Sequence, residues 1–66
     1  MVKNRLKEIR MREYVLDSGE FAKLIGTDIK NYSNWERGIS KPNLEKALMI
    51  AKKLNKSIHQ IWYLDF

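Results

Sequence analysis

Near the middle of this chain a helix stop and a helix start fall almost on top of one another, and that spacing limits the fold severely. Asp17-Ser18-Gly19-Glu20 has the form of a capping box, in which Asp17 accepts from a backbone N–H three residues on and Glu20 reaches back. It opens a helix expected over about Ser18–Ile25, with Phe21, Leu24 and Ile25 facing inward. Gly26 supplies the left-handed conformation that closes it. Thr27 alone separates this stop from Asp28, the N-cap of a helix expected to reach Arg37, with Gly38 as its terminator. So short a join forces the second helix to turn sharply across the first, and Ala22 is small enough to allow a close crossing.

The rest of the chain reads as further short helices. The first spans about Asn4–Glu13, with Leu6 and Ile9 on one face. After the loop Ile39-Ser40-Lys41-Pro42, Asn43 caps a fourth helix whose apolar positions Leu44, Ala47, Leu48, Ala51 and Leu54 keep a 3–4 spacing. Asn55 is a left-handed terminator, and Ser57-Ile58-His59-Gln60 is a second capping box opening a short fifth helix with Ile58, Ile61 and Trp62. No segment sustains period-two alternation, so strands are not expected. The expected fold is all-α: a compact bundle of five short helices forming a single domain over residues 1–66.

Composition narrows the function. With no cysteine there is neither a disulfide framework nor a thiolate metal site. No metal-ligand spacing and no nucleophile–base set occurs, so no metal, no cofactor and no enzymatic activity are expected; the single histidine, His59, is assigned to the surface or an interface. The N-terminus alternates charged and apolar residues unlike a signal peptide, and no run approaches the roughly 20 apolar residues of a membrane span. A cytoplasmic location is expected, and the capped helices argue against a membrane-surface peptide. The net charge is +5 and the pI near 9.7, a balance that suits nucleic acid.

The segment Phe21–Gly38, FAKLIGTDIKNYSNWERG, has the helix-turn-helix form. Tyr32 and Trp35, three apart, pin the third helix to the body and leave its opposite face free for a major groove. Ala22, Gly26, Asp28 and Trp35-Glu36-Arg37-Gly38 stand where the lambda-repressor/Cro-like (XRE-type) helix-turn-helix family carries its A-x-x-x-G, cap and W-E-x-G elements. Ser40-Lys41-Pro42, Leu44–Leu48 and Ser57–Trp62 look like that family's later elements, so the resemblance covers nearly the whole chain.

The resemblance implies a bacterial or phage transcriptional regulator, of repressor type, that reads double-stranded DNA with the start of its third helix. Carried over residue by residue, the base-reading positions are Ile29, Lys30, Asn31, Ser33 and Asn34. The chemistry fits: Lys30 suits guanine O6 and N7, Asn31 or Asn34 the adenine edge, and Ile29 a thymine methyl. Ile29 has the alternative of packing on the second helix. Phosphate contacts are expected from Ser18, Arg37, Ser40 and Lys41, with Arg37 and Lys41 as ordinary surface charges the alternative. An ion pair between Arg10 and Glu36 is expected to orient the third helix. The chain departs from the family at Ser18, where Gln is usual, at Gly19 and at Ile29, and its Arg10–Asp17 connection is one residue longer than the commonest form. The target sequence therefore cannot be borrowed from a relative.

Such domains usually bind palindromic operators as homodimers. The apolar ending places Ile61 and Trp62 in the core and leaves Tyr63, Leu64 and Phe66 as interface candidates, unless the tail folds over its own body. The competing reading is a protein-interaction module, such as an antitoxin or anti-regulator, that binds a partner through this tail. With no effector domain in view, control is expected through concentration, a partner or competition at the DNA.

Overall fold

The computed structural model describes residues 1–65. The chain begins with a strand, β1 (Val2–Asn4), followed by α1 (Leu6–Ile9), which runs on into a π-helical turn over Arg10–Tyr14. Then come α2 (Ser18–Ile25), α3 (Ile29–Glu36) and α4 (Leu44–Lys53), a 3-10 turn over Ile58–Gln60, and a closing strand, β2 (Trp62–Leu64).

The central helices start and stop for the reasons their residues suggest. Asp17 accepts from Glu20 N at 2.8 Å and Glu20 Oε1 accepts from Asp17 N at 3.4 Å, which completes the capping box. Asp28 accepts from Asn31 N at 2.7 Å and Asn43 from Lys46 N at 2.8 Å, so each following helix has its own N-cap. Gly26 sits at φ 84°, and Thr27 N donates to Ala22 O at 2.9 Å, closing α2 with a left-handed turn. Asn55, at φ 55°, ends α4 in the same way.

The core is one cluster. Leu6 and Ile9, Phe21, Ala22 and Ile25, Tyr32 and Trp35, Ile50, Ala51 and Leu54, and Ile61 are all buried, with Tyr14, Leu16, Ile58 and Trp62 packed against them. Tyr14, Phe21 and Tyr32 form an aromatic file with ring centroids 5.5 Å apart at each step.

Several expectations are corrected. The fold is mostly helical but not all-α: four helices and a 3-10 turn replace five helices, and β1 pairs antiparallel with β2 in the register Val2↔Leu64, Lys3↔Tyr63, Asn4↔Trp62. Three-residue strands are too short for an alternating pattern, and each partner lies about sixty residues away, so no local signal marks them. The expected fifth helix is only the 3-10 turn, after which Trp62 enters β2. On α4 the buried positions are Ala47, Ile50, Ala51 and Leu54, while Leu44 and Leu48 are exposed by 69% and 51%. The run Ala47-Leu48-Met49-Ile50-Ala51 is apolar all round, so spacing alone left the helix rotation open. On α2, Leu24 faces outward and Ala22 inward, because α3 crosses over the smaller side chain.

The first helix begins at Leu6 rather than Asn4, whose side chain instead accepts from Leu6 N at 3.0 Å. Its end is unusual. The π turn widens the helix before Val15, which takes φ 52°.

Candidate nucleic-acid interface

Helix α3 is the exposed edge of the two-helix unit. Its buried face is Tyr32 and Trp35; Lys30, Ser33, Asn34 and Arg37 recur at three- and four-residue spacing on the opposite side, with Lys30 and Arg37 exposed and Ser33 and Asn34 half-buried. Ile29, 56% exposed, flanks this row. Its Cδ1 lies 3.6 Å from where a Cβ on Gly19 would stand, so it leans on the start of α2 while still facing solvent. Asn31 lies on the other flank, where its Nδ2 donates to Asp28 Oδ2 at 3.4 Å. Asn34 has its backbone oxygen engaged by Ile39 N at 2.9 Å and Ser40 N at 3.3 Å, which ties the loop after α3 to the helix.

A wide cleft of about 880 Å³ runs along the Asn31 flank. It is lined by the α2–α3 turn, Asp28, Asn31 and Trp35 on one wall and by Ser40, Lys41, Pro42 and Asn43 on the other. Ser40 and Lys41 thus join Asn31 in one cleft at the start of α4, whereas Ser18 stands apart at the start of α2 and Arg37 at the far end of α3. Each of these helix starts carries backbone N–H groups suited to an anion.

Two residues of the cleft were missed in the sequence. Lys23 lines it, and Lys46 spans it, donating from Nζ to Gly26 O at 2.6 Å. A signal existed for Lys46: it occupies the first turn of α4, where the helix dipole disfavours a cation unless an oxygen acceptor or an anion is near. Asn4 was also missed. Its Nδ2 donates to Trp35 O at 2.8 Å and so pins the end of α3 to the N-terminal strand.

The acids that start α2 and α3 and the one that ends α3 have partners. Asp17 and Glu20 serve the capping box, and Asp28 holds Asn31. Arg10 Nε lies 3.1 Å from Glu36 Oε2 and Nη2 3.3 Å from Oε1, while Arg10 Nη1 donates to Leu16 O at 3.0 Å. Tyr32 OH donates to the same Glu36 carboxylate. These groups are largely covered, so the fork-shaped contact links α1, α3 and the α1–α2 connection into one unit. The bond to Glu36 raises the Arg10 pKa, and burial followed by the bond to Glu36 pushes the Tyr32 hydroxyl up. The carboxylate beside the exposed row is therefore held by a guanidinium and a phenol.

The tail residues lie in β2. The Tyr63 ring packs under the Arg5 guanidinium at 4.1 Å, and Leu64 is 59% exposed. The tail does fold back on its own chain, through the ladder to β1, but Leu64 remains uncovered. Phe66, the third interface candidate, lies outside the described residues. His59 is exposed in the 3-10 turn. Among the described residues no three His, Cys, Asp or Glu side chains converge as metal ligands, and no helix is long and apolar enough to cross a membrane.

A sharply joined helix pair with a polar, basic outer helix is the frame of a DNA-binding helix-turn-helix domain. The helix-turn-helix family model matches residues 6–61, and the chain belongs to the lambda-repressor/Cro-like (XRE-type) helix-turn-helix family. This is a family of DNA-binding regulatory domains, not of enzymes. No curated protein matches the chain.

Proposed function

We propose that this protein is a sequence-specific regulator of transcription, of repressor type, that lays α3 in the major groove of an operator. The reading rests above all on one observation: Lys30, Ser33, Asn34 and Arg37 form a polar row opposite the buried Tyr32 and Trp35. A major groove about 12 Å wide admits a single helix presenting such a row. Lys30 reads guanine, Asn34 reads adenine, and Ser33 hydrogen-bonds a neighbouring base edge. Ile29 supplies apolar contact to a thymine methyl while bracing on Gly19. Asn31 reads a base only on release from Asp28, so its contribution is smaller than that of Asn34.

Arg37, Ser40 and Lys41 take phosphates on one side of the groove and Ser18 on the other, with Lys23 and Lys46 adding charge along the cleft. Occupancy of the operator is enough to repress, by excluding polymerase. Two copies bind an inverted repeat, one half-site each.

The test is selection of duplexes from a random pool, followed by titration of the best sequence at several salt concentrations. Lys30→Ala should lower affinity by about 1–3 kcal/mol and relax preference at one base position. Lys41→Ala should weaken all sequences alike and reduce the salt slope by about one. A pool that enriches no sequence, with only weak salt-sensitive binding, would overturn this reading in favour of a protein-interaction module.

A further inference from the structure

We propose that Asp28 is a specificity-determining residue of this interface, a carboxylate that selects cytosine at the leading end of α3 and rejects the other bases there. This deepens the DNA reading above and rests on α3 entering the groove.

The cap itself occupies one oxygen of Asp28. Oδ1 accepts from Asn31 N at 2.7 Å, while Oδ2 has a single long contact, 3.4 Å from Asn31 Nδ2. Capping does not call for a charge either, since serine and asparagine cap as well as aspartate. The residue is exposed, stands directly ahead of the exposed Ile29 and Lys30, and lines the cleft beside Asn31. In a helix laid along the major groove, the N-terminal residues are the ones that meet base edges. Oδ2 is thus a loosely held acceptor at the tip of the reading helix.

Charge makes that acceptor discriminating. Among the described residues the ion pairs join Lys3 to Asp65, Arg10 to Glu36, Arg12 to Glu8 and Lys56 to Glu13, and none of them reaches Asp28. Bringing an unneutralised carboxylate up to a polyanion costs affinity unless the carboxylate meets a donor. The major groove offers few donors. Guanine shows N7 and O6, both acceptors, and thymine shows O4 and a methyl group. Adenine sets an acceptor, N7, beside its N6 amino group, whereas cytosine shows its N4 amino group and no acceptor. Of the four edges, cytosine alone gives a donor with nothing beside it to repel a carboxylate. The same charge that binds cytosine therefore disfavours the alternatives.

The location of the cytosine follows from the helix. Asp28 and Lys30 lie two residues apart, an advance of about 3 Å along a helix. Successive base pairs are spaced by roughly 3.4 Å. The cytosine should lie within one base pair of the guanine that Lys30 reads, so that an acid and a base at one helix end read a donor and an acceptor side by side.

The test repeats the duplex selection with Asp28→Ser and Asp28→Asn beside the full wild-type chain. Both variants keep an acceptor for Asn31 N, so the fold should survive, as checked by circular dichroism and thermal melting. Wild type should enrich one cytosine position that Asp28→Ser no longer enriches, preference there falling about tenfold, while the guanine assigned to Lys30 stays selected. On a duplex with guanine placed at that cytosine position, Asp28→Ser should bind more tightly than wild type, because a repulsion is gone. A residue that only caps would leave that ratio at one. Asp28→Asn should move the preference toward adenine, whose N6 and N7 suit an amide. A folded Asp28→Ser variant with wild-type preference at every position would overturn the proposal and leave the DNA reading standing. A wild-type chain that enriches no sequence overturns both. If the serine variant fails to fold, Asp28→Asn carries the same comparison.

Discussion

Glu36 ties the end of α3 to the rest of the molecule through Arg10. It closes α3, accepts from Arg10 and Tyr32, and keeps its negative charge occupied beside the surface proposed to meet phosphate. Removing it strands a largely covered guanidinium that retains only Leu16 O as a partner. Glu36→Ala should cost about 2 kcal/mol, lowering the melting temperature by roughly 8–16 °C, and should weaken operator binding by misplacing α3. Unchanged melting together with lost affinity would show that the pair is not structural. Tyr32 carries a pH signature. Burial and the bond to Glu36 raise its folded-state pKa above the ordinary value near 10, so its contribution is intact below about pH 10 and is lost as pH climbs beyond it. Lys3, raised by its contact with Asp65, adds in the same direction. Urea titrations from pH 8 to 11.5 should therefore show a decline above pH 10 that is shallower in Tyr32→Phe. An identical decline in both would remove Tyr32 as its cause.

At the level of elements, two positions have backbone conformations at odds with their residues. Gly19 sits in the first turn of α2 with room for a methyl: a Cβ there would lie 3.5 Å from Asp17 Oδ1 and 3.6 Å from Ile29 Cδ1, ordinary contacts. Gly19→Ala should stabilise by about 0.5–1 kcal/mol, read as a higher denaturation midpoint at unchanged slope. Val15 is the opposite case. A β-branched residue at φ 52° is strained, and with 79% of its surface exposed it gives up little packing if replaced. Val15→Asn should gain about 1 kcal/mol, or roughly 4–8 °C in melting temperature, because asparagine tolerates the left-handed region. A melting temperature that falls in that variant would mean the valine side chain holds the π turn in place.

For the whole molecule, the quantity that governs the proposed two-copy binding is the spacing between two α3 helices. The molecule measures 31 × 23 × 22 Å, so two abutting copies place their centres at a distance comparable to the roughly 34 Å helical repeat of DNA. Half-sites of the operator should lie one duplex turn apart. Inserting about 5 base pairs between them turns one half-site to the far side of the duplex and should cut affinity by about 100-fold, since the second contact is then lost. Equal binding to both spacings in a gel-shift titration would mean that each copy binds alone.

What could be read from residues alone was whatever depends on near neighbours in the chain. The caps at Asp17, Asp28 and Asn43, the left-handed stops at Gly26 and Asn55, and the burial of Tyr32 and Trp35 are decided within a turn or two of helix, and their residue types state them. The helix-turn-helix unit and its family follow from those same elements. The rotation of α4 was not legible, because its middle is apolar on every side and only the shape of the core chose Ile50 over Leu48. Nor was the strand pair legible: Val2–Asn4 and Trp62–Leu64 acquire their conformation from each other across the length of the chain. The same distance hid Asn4 at the end of α3 and Lys46 on Gly26 O. Local hydrogen bonding and steric preference act over a few residues and are written in the sequence. The meeting of its two ends arises only when packing brings distant backbone together.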